Sequence, residues 1–140
     1  MAIDISGNWC GIYYYPSSCS THFSHIEIPP VHFDAKIEQQ GDSLRGQISE
    51  ENTFAREAGA ILISTLSGYV VGGIIGFEKS YCSGENAMHT IDYHGYITDA
   101  GQKISGHWQI DDYSGTFTMC RNATALKKAK KEELKVAANA

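Results

Sequence analysis

Strict two-residue alternation of apolar and polar side chains is the feature that most constrains this chain. Val31-His-Phe-Asp-Ala-Lys-Ile-Glu38 sets Val31, Phe33, Ala35 and Ile37 on one side and His32, Asp34, Lys36 and Glu38 on the other. Successive side chains point to opposite faces in a strand, so this segment reads as a half-buried β-strand. Ile104-Ser-Gly-His-Trp-Gln-Ile110 repeats the pattern, with Ile104, Gly106, Trp108 and Ile110 inward. Runs of this kind, bounded by clusters of Gly, Asp, Asn and Ser, predict eight strands at residues 8–15, 31–39, 43–52, 60–67, 73–81, 89–98, 103–111 and 115–121. Fourteen glycines, eight tyrosines and only three prolines in 140 residues fit an all-β domain with many tight turns. A chain of this length forms one domain with a sizeable core.

Eight consecutive strands with short connections favour an antiparallel up-and-down meander, and closing it into a barrel removes the exposed edges. The connections are unequal. Those after strands two, four and six are short: Gly41-Asp42, a turn across residues 68–72, and residues 99–102. Those after strands one, three and five are long, at residues 16–30, 53–59 and 82–88. In a meander the odd connections share one end, so one mouth is draped with loops and the other is tightly closed. Small barrels that hold a ligand in the mouth are built this way. Residues 1–122 are thus expected to form the barrel domain. Residues 123–140, rich in good helix formers, form a C-terminal tail that is helical or frayed.

Charge and composition narrow the partners. A net charge of −5 argues against nucleic acid and against anionic membrane surfaces, which both favour a basic face. No run of about 20 apolar residues offers a membrane-spanning helix. Met-Ala-Ile-Asp-Ile-Ser6 lacks the basic and apolar regions of a secretory signal, so the expected location is the cytoplasm, with the four cysteines reduced. Cys10 and Cys120 are expected to be outward neighbours on the first and last strands, where a disulfide is geometrically possible. Cys19 and Cys82 fall in long connections without an adjacent base of the kind a nucleophilic cysteine uses. No phosphate-binding glycine loop and no Gly-x-Ser-x-Gly is present, and no cofactor is expected.

Gly7-Asn-Trp9 opens the first strand and Arg121 ends the last. In a closed barrel both fall at the tightly closed end, where the guanidinium lies over the indole. This arrangement, over residues 7–121, resembles the calycin superfamily of lipocalins, fatty-acid-binding proteins and avidins. The chain departs from secreted lipocalins in lacking a signal peptide and being shorter, and from avidins in lacking their polar set for biotin. The chain also resembles small bacterial proteins that share the Trp start, a Phe-x-Lys-x-Tyr strand and a late Gly-x-Trp. The calycin resemblance implies an eight-stranded barrel that binds a small molecule, whereas the likeness to the bacterial proteins implies no function. A guanidinium–indole contact is worth roughly 0.5–2 kcal/mol, and here its role is structural.

The inward faces sort by end. Trp9, Ile37, Leu44, Gly46, Ile75, Ile97, Ile104, Gly106 and Met119 fall toward the closed end, nearly all apolar. Tyr13, Tyr15, Glu50, Asn52, Lys79, Tyr81, His89 and Tyr93 fall toward the loop-draped end. Lys79 is the most telling of these, because it shares a face with Ile75, Phe77 and Tyr81. A lysine on a core face must reach water or find a carboxylate. An apolar floor with convergent polar groups above it is the usual form of a ligand site.

Two expectations follow. In the first, the mouth binds a small, largely apolar or aromatic molecule. Tyr13, Tyr15, Tyr93 and Trp108 wall the pocket, while Glu50, Asn52, Lys79, Tyr81 and His89 meet its polar groups. In the second, the same pocket is that of an isomerase, cyclase or lyase, with Glu50 or His89 as base and Lys79 or a tyrosine steadying developing oxyanion charge. Whether Glu50 and Lys79 pair depends on barrel shear, and a buried structural ion pair is the competing reading. His22 and His25, with His89, could hold a metal, but His-x-x-His in an irregular loop has little specificity and no metal is expected.

The exterior adds an oligomer. Cys10, Ile12 and Tyr14 face outward on strand one, and Ala60-Ile-Leu-Ile-Ser-Thr-Leu66 is apolar on both faces. Apolar exterior strips mark an interface or a docked element. The tail, with only Leu126, Leu134 and Val136 as large apolar residues, covers one strip but not two. A homo-oligomer, most simply a two-fold dimer, is the expectation.

Overall fold

The protein was analysed as a computed structural model, which describes residues 3–15, 30–51, 61–81, 90–111, 113–122 and 126–128. Eight strands run in chain order: β1 (Gly7–Tyr14), β2 (Val31–Gln40), β3 (Ser43–Glu51), β4 (Ile61–Val71), β5 (Ile74–Tyr81), β6 (Thr90–Thr98), β7 (Lys103–Ile110) and β8 (Tyr113–Cys120). Each pairs antiparallel with its sequence neighbours, and β1 pairs with β8 to close an up-and-down barrel. The all-β fold expected from alternation is the fold observed.

Alternation is cleanest on β2, where Val31, Phe33, Ala35 and Ile37 are buried and His32, Asp34, Lys36 and Glu38 are exposed. It breaks down on β1 and β8 for a physical reason. Their outward faces are not solvated, because Leu126, from a helical turn at residues 126–128, packs on outward-facing Ile12 and Cys120 with Cys10 and Tyr14 beside them. This covers one of the two apolar strips read from the sequence. The remaining tail, with Leu134 and Val136, lies outside the described residues.

Two boundaries are corrected. The sequence suggested a turn across residues 68–72, but β4 continues to Val71 and the turn is Gly72-Gly73, with Gly72 at φ +60°. Gly68 is a strand residue whose missing side chain matters for packing. A Cβ there would run into the backbone of β5 at Gly76 and Phe77. Glycine inside a strand often marks such close approach rather than a turn. At the other end of the barrel, β8 begins at Tyr113, two residues earlier than alternation indicated, so the β7–β8 connection is also short.

The closed end is sealed as expected. The Arg121 guanidinium lies 4.4 Å from the centre of the Trp9 ring. Arg121 also donates to three backbone carbonyls, of Ser6 at 2.5 Å, Asp4 at 2.8 Å and Gly101 at 3.3 Å. The Trp9 indole donates to the Ile5 carbonyl at 2.9 Å. These bonds stitch the segment before β1 across the barrel floor. Above it lie Ile37, Leu44, Ile75, Ile97, Ile104 and Met119, all buried. The polar residues at the opposite end therefore stand on a fully apolar base.

Candidate ligand site

Glu50 sits near the end of β3 and Lys79 near the end of β5, both on inward positions toward the mouth. The strand between them, β4, presents Leu62 opposite Glu50 and Leu66 opposite Lys79. The two charged side chains reach across β4 and meet, Lys79 Nζ contacting Glu50 Oε1 as a salt bridge. This settles the pairing that the sequence left open. Both are interior groups, with Lys79 only 1% and Glu50 only 3% exposed.

Tyrosines complete the carboxylate's shell. The Tyr13 hydroxyl donates to Glu50 Oε2 at 2.5 Å, and the Tyr81 hydroxyl donates to Oε1 at 3.2 Å. Each carboxylate oxygen thus accepts at least one hydrogen bond. Lys79 Nζ in turn lies 4.8 Å from the centre of the Tyr13 ring, 5.0 Å from that of Tyr81 and 6.0 Å from that of Tyr93. Cations within about 6 Å of a ring centre are attracted to its face. The lysine is held by one carboxylate and three aromatic faces.

Burial sets the protonation chemistry. Removal from water weakens the Lys79 ammonium and lowers its pKa, against the opposing pull of Glu50. Burial also raises Tyr13, Tyr81 and Tyr93 above the ordinary phenol range, and the Glu50 charge reinforces the effect. All three phenols therefore remain neutral donors at any ordinary pH. The cluster is a charge-balanced pair wrapped in protonated phenols.

Aromatic rings form the walls. Tyr15 packs edge-on against Tyr13 with centres 5.7 Å apart, and against Trp108 at 5.5 Å. The Trp108 indole donates to the Tyr14 carbonyl at 3.0 Å, which fixes the ring against β1. It packs against Gly115, where a Cβ would collide with it. Below, Tyr93 stacks on Phe77 with centres 4.7 Å apart and meets Phe117 edge-on at 5.0 Å. Tyr15 and Tyr81 are half-buried and form the outer layer of the described site.

Of the residues expected here, Tyr13, Tyr15, Glu50, Lys79, Tyr81, Tyr93 and Trp108 are brought together. Asn52 and His89 lie outside the described residues, as do His22, His25, Cys19 and Cys82. Among the described residues no group of three His, Cys, Asp or Glu is placed to hold a metal. Two members were missed in the sequence. Phe117 follows from the same alternation as Met119, two positions on. Ser64 is fully buried, and its hydroxyl has no hydrogen-bond partner among the described residues. Its register places it opposite Ile48 on β3 and Tyr81 on β5, one step from both Glu50 and Lys79. The phase of β4 would have found it, since Leu62, Ser64 and Leu66 share a face.

Taken together, these features define a closed, eight-stranded, antiparallel up-and-down barrel with a polar cluster inside one mouth. The chain is similar to a redesigned β-barrel of known structure, with a TM-score of 0.64 and 11% sequence identity over 84% of this chain and 91% of that one. At that identity the likeness is one of fold. No family model matches the chain, and no curated protein matches it.

Proposed function

We propose that the barrel binds a small, largely apolar or aromatic molecule at the mouth built around Glu50 and Lys79, as the calycin-like layout suggests. The observation that carries this is the buried pair itself. Two charges taken out of water cost several kcal/mol before their attraction returns any of it, and well-packed apolar residues often serve stability as well or better. Here the pair is accompanied by two tyrosine hydroxyls, a buried serine hydroxyl with no partner among the described residues and a wall of Tyr15 and Trp108. Polar groups gathered at one depth on an apolar base are what a ligand's orientation requires. The ligand enters above Tyr15 and Tyr81 and stacks on the Tyr13–Tyr15–Trp108 wall.

Catalysis is the second reading, favoured by the weakened Lys79 ammonium beside neutral phenols, a set suited to steadying oxyanion charge in an isomerase, cyclase or lyase. Glu50 is the less suitable base, because both of its oxygens already accept hydrogen bonds. We also propose self-association as a two-fold dimer. With the β1–β8 strip covered by Leu126, the outward face of β4 read from the sequence has no cover among the described residues: Ile61 is 60% and Ile63 36% exposed, and the face runs on to Val71, with Ile74 paired between it and Tyr96. No helix among the described residues is long and apolar enough to cross a membrane.

The test is native mass spectrometry of protein purified from its source, followed by titration of any adduct compound against Trp108 fluorescence. Tyr15→Ala and Tyr81→Ala should each weaken binding about tenfold or more, given that a stacked aromatic contact is worth roughly 0.5–1.5 kcal/mol beyond its buried area. Glu50→Gln should alter affinity modestly with no compound consumed. A rate that drops by roughly 10²–10⁴-fold in that variant while binding survives would instead establish catalysis. Binding that none of the three changes would place the ligand elsewhere.

A further inference from the structure

Every strand pair but one joins neighbours in sequence. The exception is β1–β8, the seam that closes the barrel, whose ladder runs only from Cys10–Cys120 to Tyr14–Thr116. Its first rung sets two cysteines directly opposite each other. Both side chains face outward, Cys10 half-buried and Cys120 buried beneath Leu126, and they are not joined by a disulfide. Directly opposed residues of an antiparallel pair have Cα atoms about 4.5–5.5 Å apart, inside the range that a disulfide spans. The neighbourhood also has room for a reagent. Cys10 lines an exterior groove of about 590 Å³ bounded by His32, Asp34, Ser49, Ile61, Leu126 and Lys127.

We propose that Cys10 and Cys120 are a modification site, a latch that a small disulfide such as oxidised glutathione closes across the barrel seam. The Cys10 thiolate attacks the small disulfide, forming a mixed disulfide and expelling one small thiol. The groove accommodates the half that stays attached. The Cys120 thiolate then attacks the Cys10 sulfur, forming the Cys10–Cys120 bond and releasing the second small thiol. Two protein thiols are oxidised, one small disulfide is reduced to two thiols, and the two protons go to them. Cys10 reacts first because it borders the groove, whereas Cys120 lies under Leu126. Burial and the Asp34 carboxylate opposite it hold the Cys10 thiol protonated, so the uncatalysed step is slow at neutral pH.

The bond would tie together positions at opposite ends of the domain. Cross-linking a loop of that size restricts the unfolded chain strongly. The experiment equilibrates the full chain in a series of oxidised-to-reduced glutathione ratios, followed by non-reducing peptide mapping and thermal denaturation. The expected result is a Cys10–Cys120 linked peptide whose appearance tracks a rise in melting temperature of roughly 10 °C. Cys10→Ser, at a half-buried position, should abolish both while folding normally, and Cys120→Ala should give the same readout with the mixed disulfide trapped on Cys10. Only mixed glutathione adducts in the wild-type chain, links to Cys19 or Cys82 in place of the seam pair, or a melting rise that persists in Cys10→Ser would each overturn the proposal.

Discussion

Replacing Lys79 by methionine is the most direct probe of the interior cluster. Methionine keeps much of the side-chain volume, so little cavity is made, but the Glu50 carboxylate loses its countercharge at a position 3% exposed. Breaking a buried pair by removing one partner costs about 3–5 kcal/mol, because the remaining charge stays uncompensated. The hydroxyls of Tyr13 and Tyr81 still donate to Glu50, so the lower half of that range is expected. Urea unfolding followed through Trp9 and Trp108, both buried, should show the midpoint lowered by roughly 2 M, given slopes of about 1–3 kcal/mol per molar. The second arm is the double variant Glu50→Gln with Lys79→Met, which removes both charges and keeps an oxygen acceptor for the tyrosines. It should regain at least half of the loss. Costs of the two single changes that simply add, within about 0.5 kcal/mol, would mean the groups do not interact and would refute the pairing. If Lys79→Met instead folds with near-normal stability but no longer binds the mouth ligand, the lysine serves the ligand more than the fold.

Alkaline pH should unfold the barrel steeply. Tyr13, Tyr81 and Tyr93 have folded pKa values raised above the ordinary phenol value of 10.0, so their contribution is complete below that pH and is lost as pH rises through and beyond it. Each contributes a slope of about 1.4 kcal/mol per pH unit there. Lys79, with a lowered pKa, acts in the opposite sense and below that range, so stability should hold or rise toward pH 10 before it collapses. Phenolate absorbance from these three should appear together with unfolding; its appearance in folded protein would contradict their burial. Arg121→Ala should lower stability by about 1–3 kcal/mol through loss of the Trp9 contact and three carbonyl bonds, yet leave ligand affinity at the opposite end unchanged in a titration. Light scattering should report twice the chain mass of 15.3 kDa, and Ile74→Lys, in the middle of the bare strip, should return it to the single mass; a wild-type chain already at 15.3 kDa at micromolar concentration would rule the dimer out.

The fold was legible because alternation is a local signal and closure of a meander leaves few other topologies. Val31 to Glu38 needs no tertiary information to be read as a strand, and strand direction alone sorts Trp9 from Tyr13. Gly68 was misread because glycine carries two opposite messages, turn and close approach, and only the position of β5 distinguishes them. The site was legible as a set of residues but not as a network. Alternation places Glu50 and Lys79 inward; the register that lets them meet over Leu62 and Leu66 is a property of the closed barrel. Ser64 went unnoticed since a serine among Ile and Leu reads as an outward residue until the phase of β4 is known. The partly covered exterior was foreseen in outline from Leu126 and the apolar face of β1, because the count of apolar tail residues limits what the tail can cover.

The charge balance of the cluster bears on what it is suited to hold. Glu50 and Lys79 cancel, and the nearby phenols are held neutral, so the described interior presents no net charge to an incoming molecule. An anionic ligand would have to draw Lys79 away from Glu50, leaving the carboxylate without its countercharge in a low-dielectric interior, and a cationic one would compete with Lys79 for the same oxygens. Either exchange carries the penalty of an unpaired buried charge. A neutral molecule avoids it. It needs only an aromatic or apolar body to lie against Tyr15 and Trp108, and a hydrogen-bonding group for the tyrosine hydroxyls or for Ser64, whose buried hydroxyl has no partner among the described residues. The proposed preference for a neutral aromatic ligand thus rests on the same pairing that the Lys79 and Glu50 variants test, and would fail with it.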